Sequence, residues 1–187
     1  MRHNPVAGVS PNPNRYERTF LNMRPWLPDH AENFLDIGCG LGGVAMWTTR
    51  HFPRATAHLI DGVTRTDKWV SYREGGQAWA DVNLAVARYA KYCPGRAVRA
   101  WPPDPAQTAI PPCELIFSNC SWGHHYPIET YLDLVRRTLR PNGVLIVDLR
   151  KGDIGTHGAN VLGRHFMRTG TIDVGEKKYT RTVWRRQ

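Results

Sequence analysis

No stretch of this chain is apolar for long enough to cross a membrane. Its longest apolar runs, Gly143-Val-Leu-Ile-Val147 among them, are strand length, against the roughly 20 residues that a spanning helix needs. Cysteine is scarce. Cys39, Cys93, Cys113 and Cys120 lie far apart, with no CxxC pair and no histidine at metal-ligand spacing, which argues against a zinc site and for free thiols in a reducing compartment. Acidic residues are in short supply too, 16 against 25 Lys and Arg. The resulting charge of +9 favours anionic partners such as nucleic acid, phosphorylated metabolites or acidic glycans, without choosing among them. The opening Met1-Arg-His-Asn-Pro5 does not lead into an apolar signal segment, so a cytoplasmic location is expected. Nothing in the sequence reads out an oligomeric state.

What is present has globular composition: 41% hydrophobic and 22% charged residues over 187 positions suit one domain with a sizeable core. Pro5, Pro11 and Pro13 among asparagines suggest a flexible arm over residues 1–14. Asn14 and Glu17 have capping-box spacing and predict a helix with Tyr16, Phe20 and Met23 on one face, ending near Pro25 or Pro28. That helix either covers an edge of the core or forms part of a lid. The expected division is an arm with its covering helix over 1–30 and a single domain over 31–187.

From residue 33 onward strand-like runs alternate with helical stretches, the pattern of a parallel sheet flanked by helices. Strands are expected at 34–37, 57–60, 97–101, 114–117 and 144–149. Helices are expected at about 41–51, at 78–92 after a loop with Gly75 and Gly76, and at 128–139. The second helix carries Trp79, Val82, Val86 and Tyr89 on one face; the third carries Ile128, Tyr131, Leu132, Val135 and Leu139 and stops at a turn, Arg140-Pro-Asn-Gly143. A weak helix over about 153–166 precedes two strands, 169–174 and 178–184, joined as a hairpin at Gly175-Glu176.

The informative segment is Asp36-Ile-Gly38-Cys-Gly40-Leu-Gly42-Gly43, where a strand becomes a helix. Glycines there let backbone approach a ligand more closely than a side chain would permit. Taken alone it is ambiguous, since Gly38, Gly40 and Gly43 also have the GxGxxG spacing of dinucleotide binders. Asp61, at the end of the second strand, can accept two hydrogen bonds from ribose hydroxyls, which points to an adenosine-containing ligand.

Together, residues 34–46, Leu59-Ile-Asp-Gly62 and 113–149 resemble, in order, the motifs of class I S-adenosylmethionine (SAM)-dependent methyltransferases. Asp36 belongs to their DxGxG form, whereas dinucleotide fingerprints usually have an apolar residue there. The resemblance covers about residue 33 to the end and is specific to the superfamily, not to a substrate. It implies a Rossmann-like α/β fold: a seven-stranded, mostly parallel sheet of order 3-2-1-4-5-7-6, its last strand antiparallel, with helices on both faces. It further implies that Asp36, Gly38 and Gly40 line the methionine end of SAM, that Asp61 binds its ribose, and that Cys39 and Gly62 beside them belong to the cofactor site. Asp104 would contact adenine, although prolines surround it, and Asn119 would meet the cofactor's amino group.

The fourth strand runs into Ser118-Asn-Cys-Ser-Trp122-Gly-His124-His-Tyr126-Pro127, at the sheet edge where ligand chemistry concentrates. It resembles the Ser-Trp-Gly-x-His-Tyr-Pro segment of some small methyltransferases of unassigned substrate. His125, with His124 as alternate, is the candidate general base or acceptor-orienting residue, because imidazole titrates near working pH. Trp122 and Tyr126 would wall the pocket, and Arg150 and Lys151 would hold an anionic acceptor. No Asp/Asn-Pro-Pro-Tyr/Phe run follows the strand, which argues against amino methylation of a flipped base. The basic segment Lys177, Lys178, Arg181, Arg185 and Arg186, interleaved with Tyr179 and Trp184, would either touch nucleic acid or guard an edge strand. A small hydroxyl acceptor, sugar-like or phosphorylated, is the leading expectation. A nucleic-acid substrate, a non-catalytic SAM-binding module and an NAD-linked dehydrogenase are the alternatives. No membrane partner and no metal are expected.

Overall fold

A computed structural model describes residues 13–62 and 81–187. The arm up to residue 12, the Gly75-Gly76 loop and Trp79 lie outside the described residues. In chain order the elements are α1 (Pro13–Met23), a 3-10 turn (Arg24–Trp26), β1 (Asn33–Ile37), α2 (Gly43–His51), β2 (Thr56–Ile60), α3 (Val82–Tyr92) and β3 (Val98–Trp101). A second 3-10 turn (Pro105–Gln107), β4 (Cys113–Ser118), α4 (Glu129–Thr138), β5 (Leu139–Arg150), α5 (Asp153–Gly163), β6 (Met167–Ile172) and β7 (Tyr179–Arg185) complete the described chain. The strands form one sheet of order β3-β2-β1-β4-β5-β7-β6. β1 to β5 pair in parallel, and β7 runs antiparallel to both β5 and β6. Order and direction are those expected.

Strands buried on both faces read as continuous apolar runs, and their period of two divides the side chains between two cores. Phe34, Leu115, Phe117, Val144 and Ile146 face α2 and α3, where Val44, Ala45, Val82, Ala85 and Tyr89 meet them. Leu35, Ile37, Ile116, Leu145 and Val147 face the other way, onto Tyr131, Leu134 and Val135 of α4 and Leu162 of α5. Among the described residues no helix is long and apolar enough to cross a membrane.

Several boundaries differ from expectation for local reasons. α1 begins at Pro13, so Asn14 lies within the first turn and not at the cap; a proline there gives up a backbone donor that has no helical partner anyway. α3 opens only at Val82, because Asp81 caps it, its Oδ1 accepting from Asn83 N at 2.8 Å; its buried face is Val82, Ala85 and Tyr89, with Val86 half-buried. The Arg140–Gly143 turn does not precede β5 but interrupts it. Cys113 pairs with Leu139 and Leu115 with Val144, the excess residues bulging through Asn142 at φ 61. Glu114, opposite the bulge, ties it to the start of β1: the carboxylate accepts from Arg140 Nε at 2.7 Å and from the backbone N–H of Glu32 and Asn33 at 2.8 and 3.0 Å. β7 is no charge-guarded edge, since β6 lies outside it and Arg181 to Trp184 are all buried.

One buried polar network ties the sheet's first three strands. His58 of β2 accepts from Trp101 Nε1 of β3 at 3.0 Å through Nδ1, which leaves Nε2–H to donate to Asn33 Oδ1 of β1 at 3.1 Å. Burial, then the Arg99 charge, lowers its pKa from 6.5 to about 4. Between those values the unfolded chain takes up a proton that the folded one refuses, so this contribution to stability is intact above pH 6.5 and is lost as pH falls towards 4. Urea midpoints measured across that window should fall more steeply for the parent chain than for His58→Gln.

Candidate active site

At the carboxyl edge of the sheet the loops after β1 and β4 diverge to opposite faces, and a cleft of about 720 Å³ opens between them. The β1 loop lies flat across the tip of β2: Gly38 N and Cys39 N both donate to Ile60 O, at 2.8 and 3.0 Å. Gly38 has φ +72, and a Cβ there would stand 1.8 Å from Ser121 Oγ of the β4 loop. No other residue type fits. Gly40, at φ +56, has the opposite surroundings. Nothing lies within 4 Å of where its Cβ would be, and that open space is part of the cleft.

Asp61 braces this loop from the end of β2. Its Oδ2 accepts from Gly40 N at 2.7 Å and its Oδ1 from Gly62 N at 2.8 Å, which aims the carboxylate at the cleft wall. Asp36 lies beneath, 3% exposed; burial, then the negative charge of Asp61, holds its carboxyl well above the usual carboxylate range. Burial, Asp36 and Asp61 likewise push the Cys39 thiol up, so that it stays protonated; it donates to Gly40 O. Across the cleft, the buried side-chain amide of Asn119 has no hydrogen-bond partner among the described residues. An unsatisfied buried amide costs roughly 1–3 kcal/mol, which a ligand supplying a donor and an acceptor would recover.

The far wall is built from the β4 loop, β5 and β7. Asp148 and Arg181, both buried, form a two-pronged ion pair with Nε–Oδ1 at 2.7 Å and Nη2–Oδ2 at 2.8 Å. Asp148 Oδ2 also accepts from Cys120 N at 3.0 Å, holding Cys120 at φ 52, in the left-handed region that only it and Asn142 occupy among the described non-glycine residues. His124 is packed edge-on against both His125 and Tyr179, with ring centroids 4.6 and 5.5 Å away. Burial first, then His125, Arg150 and Lys178, lowers its pKa to about 4, so it is neutral at pH 7; its Nδ1 has no hydrogen-bond partner among the described residues. Arg15, Arg150, Lys151, Lys177 and Lys178 make the rim basic.

Of the residues singled out from sequence, Asp36, Gly38, Cys39, Gly40, Asp61, Asn119, His124, His125, Arg150 and Lys151 all line this one cleft. Four do not. Trp122 is fully buried, its Nε1 donating to Ile128 O at 2.7 Å, so it is a core residue of the α4 face and no pocket wall. Tyr126 lies under the floor, its hydroxyl 2.8 Å from Ser121 Oγ. Asp104 caps the Pro105–Gln107 turn, accepting from Ala106 N and Gln107 Nε2 away from the cleft. Gly62 is buried behind Asp61 and bonds to it and to Val82 N. Sequence reading missed the Asp148–Arg181 pair and Tyr179 as a ring against His124. It left α1 open between covering an edge of the core and forming part of a lid. Arg15, Tyr16 and Thr19 of that helix line the cleft, and the Tyr16 ring sits 2.4 Å from where a Cβ on Gly43 would be. Only the glycine at 43 hinted at so close an approach.

Several solved structures share this chain's fold. The chain superimposes on precorrin-6y C5,15-methyltransferase from Geobacter metallireducens GS-15 with a TM-score of 0.62 and 17% identity, covering 98% of this chain and 94% of that one. Against the pyocyanin biosynthetic protein PhzM the TM-score is 0.62 at 18% identity, over 91% of this chain and about half (55%) of that one. Methanococcus jannaschii fibrillarin, a pre-rRNA processing protein, matches with a TM-score of 0.57 and 11% identity over 83% and 66%. No protein-family model and no curated protein matches the sequence. The chain thus has the class I SAM-dependent methyltransferase fold.

Removing one half of the buried ion pair strands the other half in a dry wall. Arg181→Met should cost about 3–5 kcal/mol by chemical denaturation, and Asp148→Leu/Arg181→Met together markedly less than Arg181→Met alone.

Proposed function

We propose that this chain is a SAM-dependent methyltransferase whose acceptor is a small anionic or sugar-like molecule methylated on oxygen. The observation that carries the reading is the convergence, in one cleft, of the open space over Gly40, the braced carboxylate of Asp61 and the unsatisfied amide of Asn119. The cleft volume of about 720 Å³ is ordinary for a ligand site, for which roughly 300–1,000 Å³ is usual. The residues present suit the cofactor. Asp61 would take the ribose hydroxyls, Gly38, Cys39 and Gly40 would present backbone to the amino-acid end, and Asn119 would meet its charged groups. Asp36, its carboxyl held well above the usual carboxylate range by burial and then by Asp61, lies beneath them.

When bound, SAM supplies an electrophilic methyl group. The chain's own task is to hold the acceptor, exclude water and take a proton. Arg150 and Lys151 would hold an anionic acceptor at the rim. His125, half-buried beside His124, would accept the hydroxyl proton as oxygen becomes the nucleophile. His124, kept neutral by burial, is a weak base at pH 7, so it suits an orienting hydrogen bond better than proton transfer. A nucleic-acid acceptor is the second reading, favoured by the basic rim.

Calorimetry with SAM, S-adenosylhomocysteine and NAD should show the first two binding and NAD not. Asp61→Ala should weaken SAM at least about ten-fold, the loss of one charge-assisted contact. With labelled SAM and a mixture of phosphorylated sugars and hydroxy acids, His125→Ala should keep cofactor affinity while labelled product forms about 10²- to 10⁴-fold more slowly. Binding of NAD in preference to SAM would overturn the proposal.

A further inference from the structure

A second concavity lies at the amino end of β5, remote from the cleft. The residues Val144–Arg150 alone, which separate the two ends, span roughly 20 Å at about 3.3 Å each. This groove, of about 600 Å³, is lined by Arg136 and Arg137 in the last turn of α4, Arg164 and His165 just beyond α5, and Arg186 just beyond β7. Asp133 is its one acidic side chain among the described residues. Three of the guanidiniums are positioned by single anchors: Arg136 Nη1 on Asp133 at 3.1 Å, Arg137 Nη2 on Pro105 O, and Arg186 Nη1 on Leu139 O. Each keeps N–H donors to spare. Arg164 is exposed at the groove's edge.

Basic side chains near helix C-termini offset the helix dipole, by about 0.3–1 kcal/mol each, and that accounts for Arg136 and Arg137 on α4. It does not account for Arg186, which follows a strand, or for three separate elements bringing four guanidiniums into one hollow that holds a single acidic side chain, Asp133, beside the terminal residue Gln187. Like charges so gathered repel unless an anion joins them, and the planar fork of arginine matches phosphate oxygens in pairs. All of the strong cations here are arginine. At the cleft rim, lysine outnumbers it.

We propose that this groove is a phosphate-binding site separate from the cleft, taking the phosphates of a nucleic-acid strand or of a smaller phosphorylated molecule. It is independent of the methyltransferase reading. The test uses the full chain at about 0.1 M salt, with a fluorescent single-stranded oligonucleotide of about 12 nucleotides in one arm and inorganic pyrophosphate by calorimetry in the other. Binding of the oligonucleotide identifies a strand as the source, and binding of pyrophosphate alone identifies a small molecule. Arg136→Gln/Arg164→Gln, at two exposed positions, should weaken the bound probe at least ten-fold while the melting temperature stays within about 4 °C of the parent's. For the oligonucleotide it should also flatten the slope of log affinity on log salt by about 1.4, two phosphate contacts at about 0.7 each. Arg18→Gln/Arg54→Gln, at two exposed positions outside both concavities, should change affinity less than two-fold. The proposal is overturned if neither probe binds, or if the groove variant lowers affinity no more than this control does.

Discussion

The absence of room at Gly38 governs everything built above it. With Ser121 Oγ where a β-carbon would stand, the loop after β1 and the loop after β4 meet as backbone against side chain at the point where they part to opposite faces. Ser118, at the end of β4, secures the meeting: its hydroxyl donates to Ile37 O and accepts from Trp122 N, both at 2.9 Å. A bulkier residue at 38 would push the loops apart and move Asn119 and His124 away from Gly40 and Asp61. The depth of the cleft is thus set by one missing methyl group. The placement of ligand sites at such divergence points is general to open α/β sheets; here it has a measurable steric cause.

Charge is sorted along the cleft. At the glycine end two carboxyl groups stand close enough for one to raise the pKa of the other, and the thiol between them stays protonated. At the other end the largest buried cation, Arg181, is already matched by Asp148 and brings no net charge to the wall. The positive field an acceptor would meet comes instead from side chains on the rim, longer and better hydrated. Under the proposed activity, the floor would define where the reaction happens, and the rim what is admitted.

Most of the architecture was legible in the sequence because it is written in short-range patterns. Largely apolar runs as short as Phe34–Ile37 and Val144–Leu149, each broken only by one aspartate, report strands buried on both faces, and the glycines from 38 to 43 report a sharp strand-to-helix passage. Both signals are local. What escaped was long-range or depended on a side chain's direction. Asp148 and Arg181 are 33 residues apart, and nothing near either announces the other. In sequence Arg181 reads as one charge of a basic tail, whereas β7 lies inside the sheet between β5 and β6. Trp122 sits between two cleft-lining residues, yet the tight turn around it sends its indole into the core, where its N–H finds Ile128 O. Asp104 stands near the expected place for an adenine contact, but a proline-led turn beside it needed a cap. The boundary errors at Asn14 and Arg140–Gly143 share one cause: capping and turn chemistry are also used inside elements.

Tyr16 has a reach beyond its own packing. Its ring fills the space left by the missing side chain of Gly43 and at the same time forms part of the cleft. A ligand in contact with that ring would therefore strengthen the packing of the first helix on the second, and any loosening of that packing would weaken the ligand by the same factor.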